Sequence, residues 1–86
     1  MKVDFPAWAQ ARAPIGYMMR LYVDEAGETG DVEIISSQGA ATSSEVSERL
    51  TKFTLETVKR FRFERLVQDG EPRPYTTVVT VVYRST

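Results

Sequence analysis

From Ile15 to Val23 the side chains alternate without a break. Ile15, Tyr17, Met19, Leu21 and Val23 fall on one side, and Gly16, Met18, Arg20 and Tyr22 on the other. This period of two is the mark of a strand buried on one face. A shorter run, Val32 to Ser36 with Val32 and Ile34 turned inward, follows the stretch Asp24 to Asp31, whose two glycines and four acids make a connection too polar to bury. The two runs read as an antiparallel hairpin. A third alternation closes the chain: Tyr75, Thr77, Val79, Val81 and Tyr83 share the face assigned to the core, and Thr76, Val78, Thr80 and Val82 share the other. From Tyr75 to Tyr83 this segment carries no charge.

Helical signals lie between these strands. Pro6 suits a first helical turn, because the N–H it lacks would find no partner there, and the alanines after it extend a short helix to about Arg12. Pro14 stops it. After the small, polar stretch Ser36 to Ser44, read as a loop, Thr42 and Glu45 have capping-box spacing and open a helix reaching about Phe63. Its apolar positions form two groups. Val46, Leu50 and Phe53 cluster on one side, and Leu55, Val58 and Phe61 lie about 120° further round, which predicts a bend near Lys52 or two consecutive pieces. Gln68 to Pro74 holds Asp-Gly and two prolines and reads as a turn into the last strand. The order is helix, strand, strand, helix, strand. The expected fold is α+β, a single two-layer domain over residues 1–86, with both helices on one face of a three-stranded antiparallel sheet.

Composition narrows the function. Eighty-six residues allow one core. A formal net charge of −1 gives no multi-phosphate footprint, so the basic, aromatic-interleaved stretch Lys59 to Arg65 reads as a helix end and not as a nucleic-acid surface. With no histidine and no cysteine, the usual general base, nucleophile pairs and transition-metal ligands are missing, and neither enzymatic activity nor a cofactor is expected. The acids Asp24, Glu25, Glu28 and Asp31 read as solvated turn residues, without the ligand ladder of a calcium loop. Trp8, the only tryptophan, reads as the anchor of the first helix on the core. No run reaches the roughly 20 apolar residues of a membrane span.

Several of these stretches together resemble the C-terminal domain of TonB, the bacterial energy transducer. Phe5, Pro6, Ala9 and Gly16 fit its opening segment, with Phe5 in place of tyrosine. Tyr22 to Ser37 resembles its first hairpin. Phe61, Arg62, Phe63, Asp69, Gly70 and Pro72 match its helix end and following turn. Phe61 stands where tryptophan is frequent and Arg65 where proline is common, and the stretch Gln38 to Arg49 is longer than usual. The resemblance implies a central first strand with the second and last strands at the edges. It also implies a periplasmic location, with the full-length protein held in the inner membrane beside ExbB and ExbD through a membrane helix and linker outside these residues. The implied partner is the Ton box of an outer-membrane transporter, paired by β-strand addition to the last strand for force-driven import.

The residues themselves fit that docking. An edge strand without Lys, Pro or a bulge invites another strand. The expected peptide-binding residues are therefore Thr76, Thr77, Val78, Val79, Thr80, Val81, Val82 and Tyr83, with Arg84 as partner for an anion on the guest. Two alternatives stay open: the edge is covered by the chain's own loop or by a second copy in a homodimer, or the domain is a TonB-like envelope or sensory module that never meets a transporter.

Overall fold

The computed structural model describes residues 1–9, 13–39 and 43–84. Its strands are β1 (Lys2–Asp4), β2 (Ile15–Val23), β3 (Thr29–Gln38), β4 (Leu66–Gln68), β5 (Glu71–Arg73) and β6 (Tyr75–Arg84). One α-helix, α1 (Ser44–Val58), and one 3-10 turn, Ala7–Ala9, complete the described elements. The strands form a four-stranded sheet in the order β1-β6-β2-β3 and a separate two-stranded sheet, β4-β5. β2 pairs antiparallel with both β3 and β6, whereas β1 lies parallel to β6.

The expected three-stranded antiparallel sheet with two helices is therefore corrected to a four-stranded mixed sheet, a second small sheet and one α-helix. The fourth strand is the N-terminus. Lys2 and Asp4 flank Val3 there, and three residues with one apolar position are too few to show a period. The expected helix from Pro6 to Arg12 is a 3-10 turn at Ala7–Ala9, with the Ala9 N–H donating to the Pro6 carbonyl at 3.0 Å; Gln10 to Arg12 lie outside the described residues.

The long helix is also shorter than its apolar pattern suggests. Ser43 is its N-cap: its extended backbone and its hydroxyl, accepting from the Val46 N–H at 3.2 Å, satisfy one of the first-turn donors. The expected cap, Thr42, lies outside the described residues. At the other end the Arg60 and Phe61 N–H groups donate to the Thr57 and Val58 carbonyls, tightening the last turn. The chain then leaves the helix, and Phe63 donates to the Gly27 carbonyl at 2.9 Å.

Between these ends α1 is one continuous helix and not two pieces, and its buried stripe is Leu50, Thr54 and Val58, spaced four apart. Thr54 holds a core position that its polarity hid. Its hydroxyl bonds to the Leu50 carbonyl and to the Tyr83 phenol, each at 2.7 Å, and among the described residues no buried side-chain nitrogen or oxygen is left without a partner.

The core lies between α1 and one face of the sheet. Met19, Leu21, Val23, Leu50 and Val58 are almost wholly enclosed, joined by Ile15, Tyr17, Val81 and Tyr83. Trp8 is half-buried, edge-on to Phe53 with ring centroids 5.7 Å apart, and Arg49 lies 4.2 Å over its ring. The opposite face of the sheet carries exposed Met18, Tyr22 and Val78. Asp69 and Gly70, both at positive φ (54° and 78°), make the two-residue turn of the β4–β5 hairpin, the conformation that Asp-Gly favours. No other described helix or strand packs closely on that hairpin, and Leu66 and Val67 stand exposed on it.

Candidate functional site

A strand offers alternate residues' backbone groups to its two sides. On β6 the outward side is fixed by two bonds: the Met1 amine donates to the Thr80 carbonyl at 2.7 Å, and the Val82 N–H donates to the Met1 carbonyl at 2.8 Å. The even-numbered residues thus aim their peptide groups away from β2. Among them Val82 and Arg84 fall within the register of β1, which runs Lys2↔Val82, Val3↔Tyr83 and Asp4↔Arg84. On that outward side Thr76 and Val78 have no strand beside them among the described residues.

The expected site therefore divides. Thr76, Thr77, Val78 and Val79 lie on an open half of the β6 edge, with Thr80 at its boundary. Val81, Val82, Tyr83 and Arg84 lie where the chain's own N-terminus already occupies the edge. The sheet edge implied by the resemblance is thus an interior strand over its C-terminal half. Arg84, expected to meet an anion on a guest, meets Asp4 of β1 at 3.1 Å. Sequence reasoning missed Met1 to Asp4 as part of this site, and its one signal was Val3 between two charges.

Burial follows the same division. Along the inward row, Val81 and Tyr83 are each 3% exposed, whereas Tyr75, Thr77 and Val79 are only half-buried. The chemistry of the row is similar throughout; the covered half has β1 beside it and Phe5 and Thr54 against Tyr83, and the other half has no β1 beside it. On the far side of the strand Val78 is 52% exposed. The open half thus combines unpaired outward peptide groups with apolar surface that one more strand would cover.

The sheet's other edge is protected. β3 has register shifts opposite Met18/Met19 and Leu21/Val23, with Asp31 and Glu33 exposed along it, and Glu33 pairs with Arg20 at 3.4 Å. Bulges and charges are the usual means of keeping other strands off an edge.

Two of the four acids of the β2–β3 connection, Asp24 and Glu28, have structural partners. An Asp24 carboxylate oxygen accepts from the Ala26 and Glu28 N–H groups, both at 2.9 Å, and Glu28 pairs with Arg62. Among the described residues no group of three or more acids is placed to hold a metal ion.

At the covered end, Tyr83 stacks on Phe5 with centroids 5.4 Å apart and stands edge-on to Tyr17 at 6.3 Å. Burial raises its phenol above the ordinary value near 10, the Thr54 hydrogen bond opposes this, and Tyr17 adds to the rise. The unfolded chain would therefore lose the Tyr83 proton at a pH where the native state still holds it. The stability this represents is fully present below about pH 10 and is lost as pH rises through the native value. Thermal melts from pH 9 to 11 should show a steeper loss for the natural chain than for Tyr83→Phe. Parallel curves would show that this phenol is not responsible.

Compared with protein-family models, curated proteins and solved structures, the chain matches none.

Proposed function

We propose that this domain is a binding module that takes up an extended peptide by β-strand addition on β6, beginning at Tyr75–Val79. In the TonB-type reading the peptide is the Ton box of an outer-membrane transporter, met in the periplasm. Force would reach it through an inner-membrane segment, outside these residues, working with ExbB and ExbD. The observation that carries strand addition is the coincidence of unpaired Thr76 and Val78 peptide groups with the half-buried row of Tyr75, Thr77 and Val79. The motif resemblance supports the choice of guest. Among the described residues no helix is long and apolar enough to cross a membrane.

Energetics favour a weak, reversible contact. Each new backbone bond contributes about 0.5–1.5 kcal/mol, while ordering each guest residue costs about 1–2 kcal/mol. Hydrogen bonds alone therefore do not hold the guest. Side chains covering Val79 and Thr77 must supply the surplus, which suits a transducer that releases and reuses its partners.

Val78→Pro tests the docking mode. The substitution removes an outward N–H while the odd-numbered residues keep their bonds to β2, and proline is tolerated on an open edge. A fluorescent Ton-box peptide should bind the natural chain and bind Val78→Pro at least about tenfold more weakly, with the melting curve little changed. Equal binding by the two proteins would overturn strand addition at this half. Binding no better than that of a scrambled peptide would overturn the Ton-box assignment.

One observation favours a second reading, self-association through the uncovered sheet face, where Met18, Tyr22 and Val78 are exposed. Light scattering across a concentration series distinguishes it, since a peptide module of the first kind stays monomeric.

A further inference from the structure

Resting on that reading, we infer that β1 is an internal competitor for the guest. The guest is then an extended peptide that displaces Met1–Asp4 and runs parallel to β6, with a large apolar side chain where Val3 sits and an acid where Asp4 meets Arg84.

Four observations converge on this. First, β1 occupies the outward peptide groups that continue the open half of β6, so a guest longer than Tyr75–Val79 collides with it. Second, β1 is lightly held. Its backbone lies along β6, its one inward side chain, Val3, reaches the core only partly buried, Lys2 and Asp4 are exposed, and the Asp4–Arg84 pair is in solvent, where ion pairs contribute little. Third, the chain beyond it is anchored independently. Phe5 is 7% exposed and stacked on Tyr83, so Met1–Asp4 can peel away with Asp4–Phe5 as the hinge while the core stays closed.

The fourth observation names the guest's chemistry. Beneath β1, between the sheet and α1, lies a cavity of about 240 Å³, lined chiefly by Met1, Val3, Phe53, Thr57, Val58 and Val81. An apolar space of roughly 150 Å³ accommodates benzene, so the room left beside Val3 takes a leucine- or phenylalanine-sized group. Val3 underfills it. Met1 lines it too and is 56% exposed. A guest with a larger side chain at the Val3 position gains contacts that β1 forgoes, and this difference lets it win an edge already occupied. Arg84, freed from Asp4, then meets the guest's acid, which sets its register.

The test uses the full chain and two variants at the inward position of β1. Val3→Leu fills the cavity from within and holds β1 closed. Val3→Asn places a polar group there and opens it. Because apparent affinity scales with the fraction of chains whose edge is free, a capped eight-residue peptide of alternating threonine and leucine ending in aspartate should bind in a definite order. Relative to the natural chain, binding should be about tenfold weaker for Val3→Leu and several-fold tighter for Val3→Asn, even though Val3→Asn lowers the melting temperature. Replacing the peptide's leucines with alanine should cost at least about tenfold.

Equal affinity for all three proteins would overturn the competitor and leave strand addition beside an undisturbed β1. Equal affinity of the leucine and alanine peptides would overturn the pocket. No binding to any of the three would overturn strand addition itself. An independent readout on the natural chain is amide exchange: on saturation with peptide the Val3 N–H should lose protection while that of Val82 keeps it. Retained protection at Val3 would also overturn displacement.

Discussion

Replacing Gly27 with alanine should be among the most damaging single changes in this chain, lowering the melting temperature by about 12–24 °C. Gly27 sits in the β2–β3 connection at φ +84°, a conformation that costs a residue with a Cβ roughly 1 kcal/mol. The larger effect is steric. A Cβ would lie 2.3 Å from the Phe63 carbonyl oxygen, a backbone atom that cannot move without disturbing the Phe63 N–H bond to the Gly27 carbonyl. That bond ties the segment leaving α1 to the hairpin, and the Thr29 hydroxyl supports it by donating to the Phe61 carbonyl at 2.8 Å. A combined cost of about 3 kcal/mol is a large share of the 5–15 kcal/mol typical of a folded domain, and each kcal/mol shifts the melting temperature of a domain this size by about 4–8 °C. Gly70→Ala is the control: its φ is +78°, but nothing lies within 4 Å of the added Cβ. It should cost only the backbone term, about 1 kcal/mol. Calorimetry of the two variants therefore separates strain from collision, and equal losses would show that Phe63 gives way freely.

Tyr83→Ala should cost about 3–5 kcal/mol, the usual range for deleting a large buried ring. Tyr83 is where three parts of the fold meet: Phe5 after β1, Tyr17 on β2 and Thr54 on α1. Removing the ring opens a cavity among all three. Tyr83→Phe should cost far less, about 0.5–1.5 kcal/mol, because Thr54 keeps its bond to the Leu50 carbonyl. Urea titrations give both values from the shift in midpoint at constant slope. If Tyr83→Phe proved as costly as Tyr83→Ala, the hydroxyl pair, and not the ring packing, would be what joins helix to sheet.

Thr54 and Phe61 are two positions where the apolar pattern of α1 and its actual packing differ. The helix pattern, read on apolar residues alone, included Phe61 and passed over Thr54, and so produced two stripes and a bend. Phe61 leaves the helix, its carbonyl accepts from Thr29, and it packs against the core from a loop. Thr54 enters the core because two partners satisfy its hydroxyl. The Leu50 carbonyl is one turn back on the same helix, but the Tyr83 phenol is 29 residues away and invisible from local sequence. Phe53, expected on the inward stripe, is 40% exposed and meets Trp8 instead.

The alternating pattern by itself determined β2, the middle of β3 at Val32 to Ser36, β6 and the inward faces of all three, because side chains on a strand alternate and apolar burial selects one face. Asp-Gly similarly determined the tight turn at Asp69–Gly70. What the pattern could not decide was what lies beside a strand. Edge or interior depends on which distant segment supplies the next row of peptide groups, and those groups are the same in every residue except proline. Only the tertiary structure brought Met1–Asp4 against Val82–Arg84, leaving half of β6 open and half occupied. The candidate site was decided there, by hydrogen bonds between the two ends of the chain.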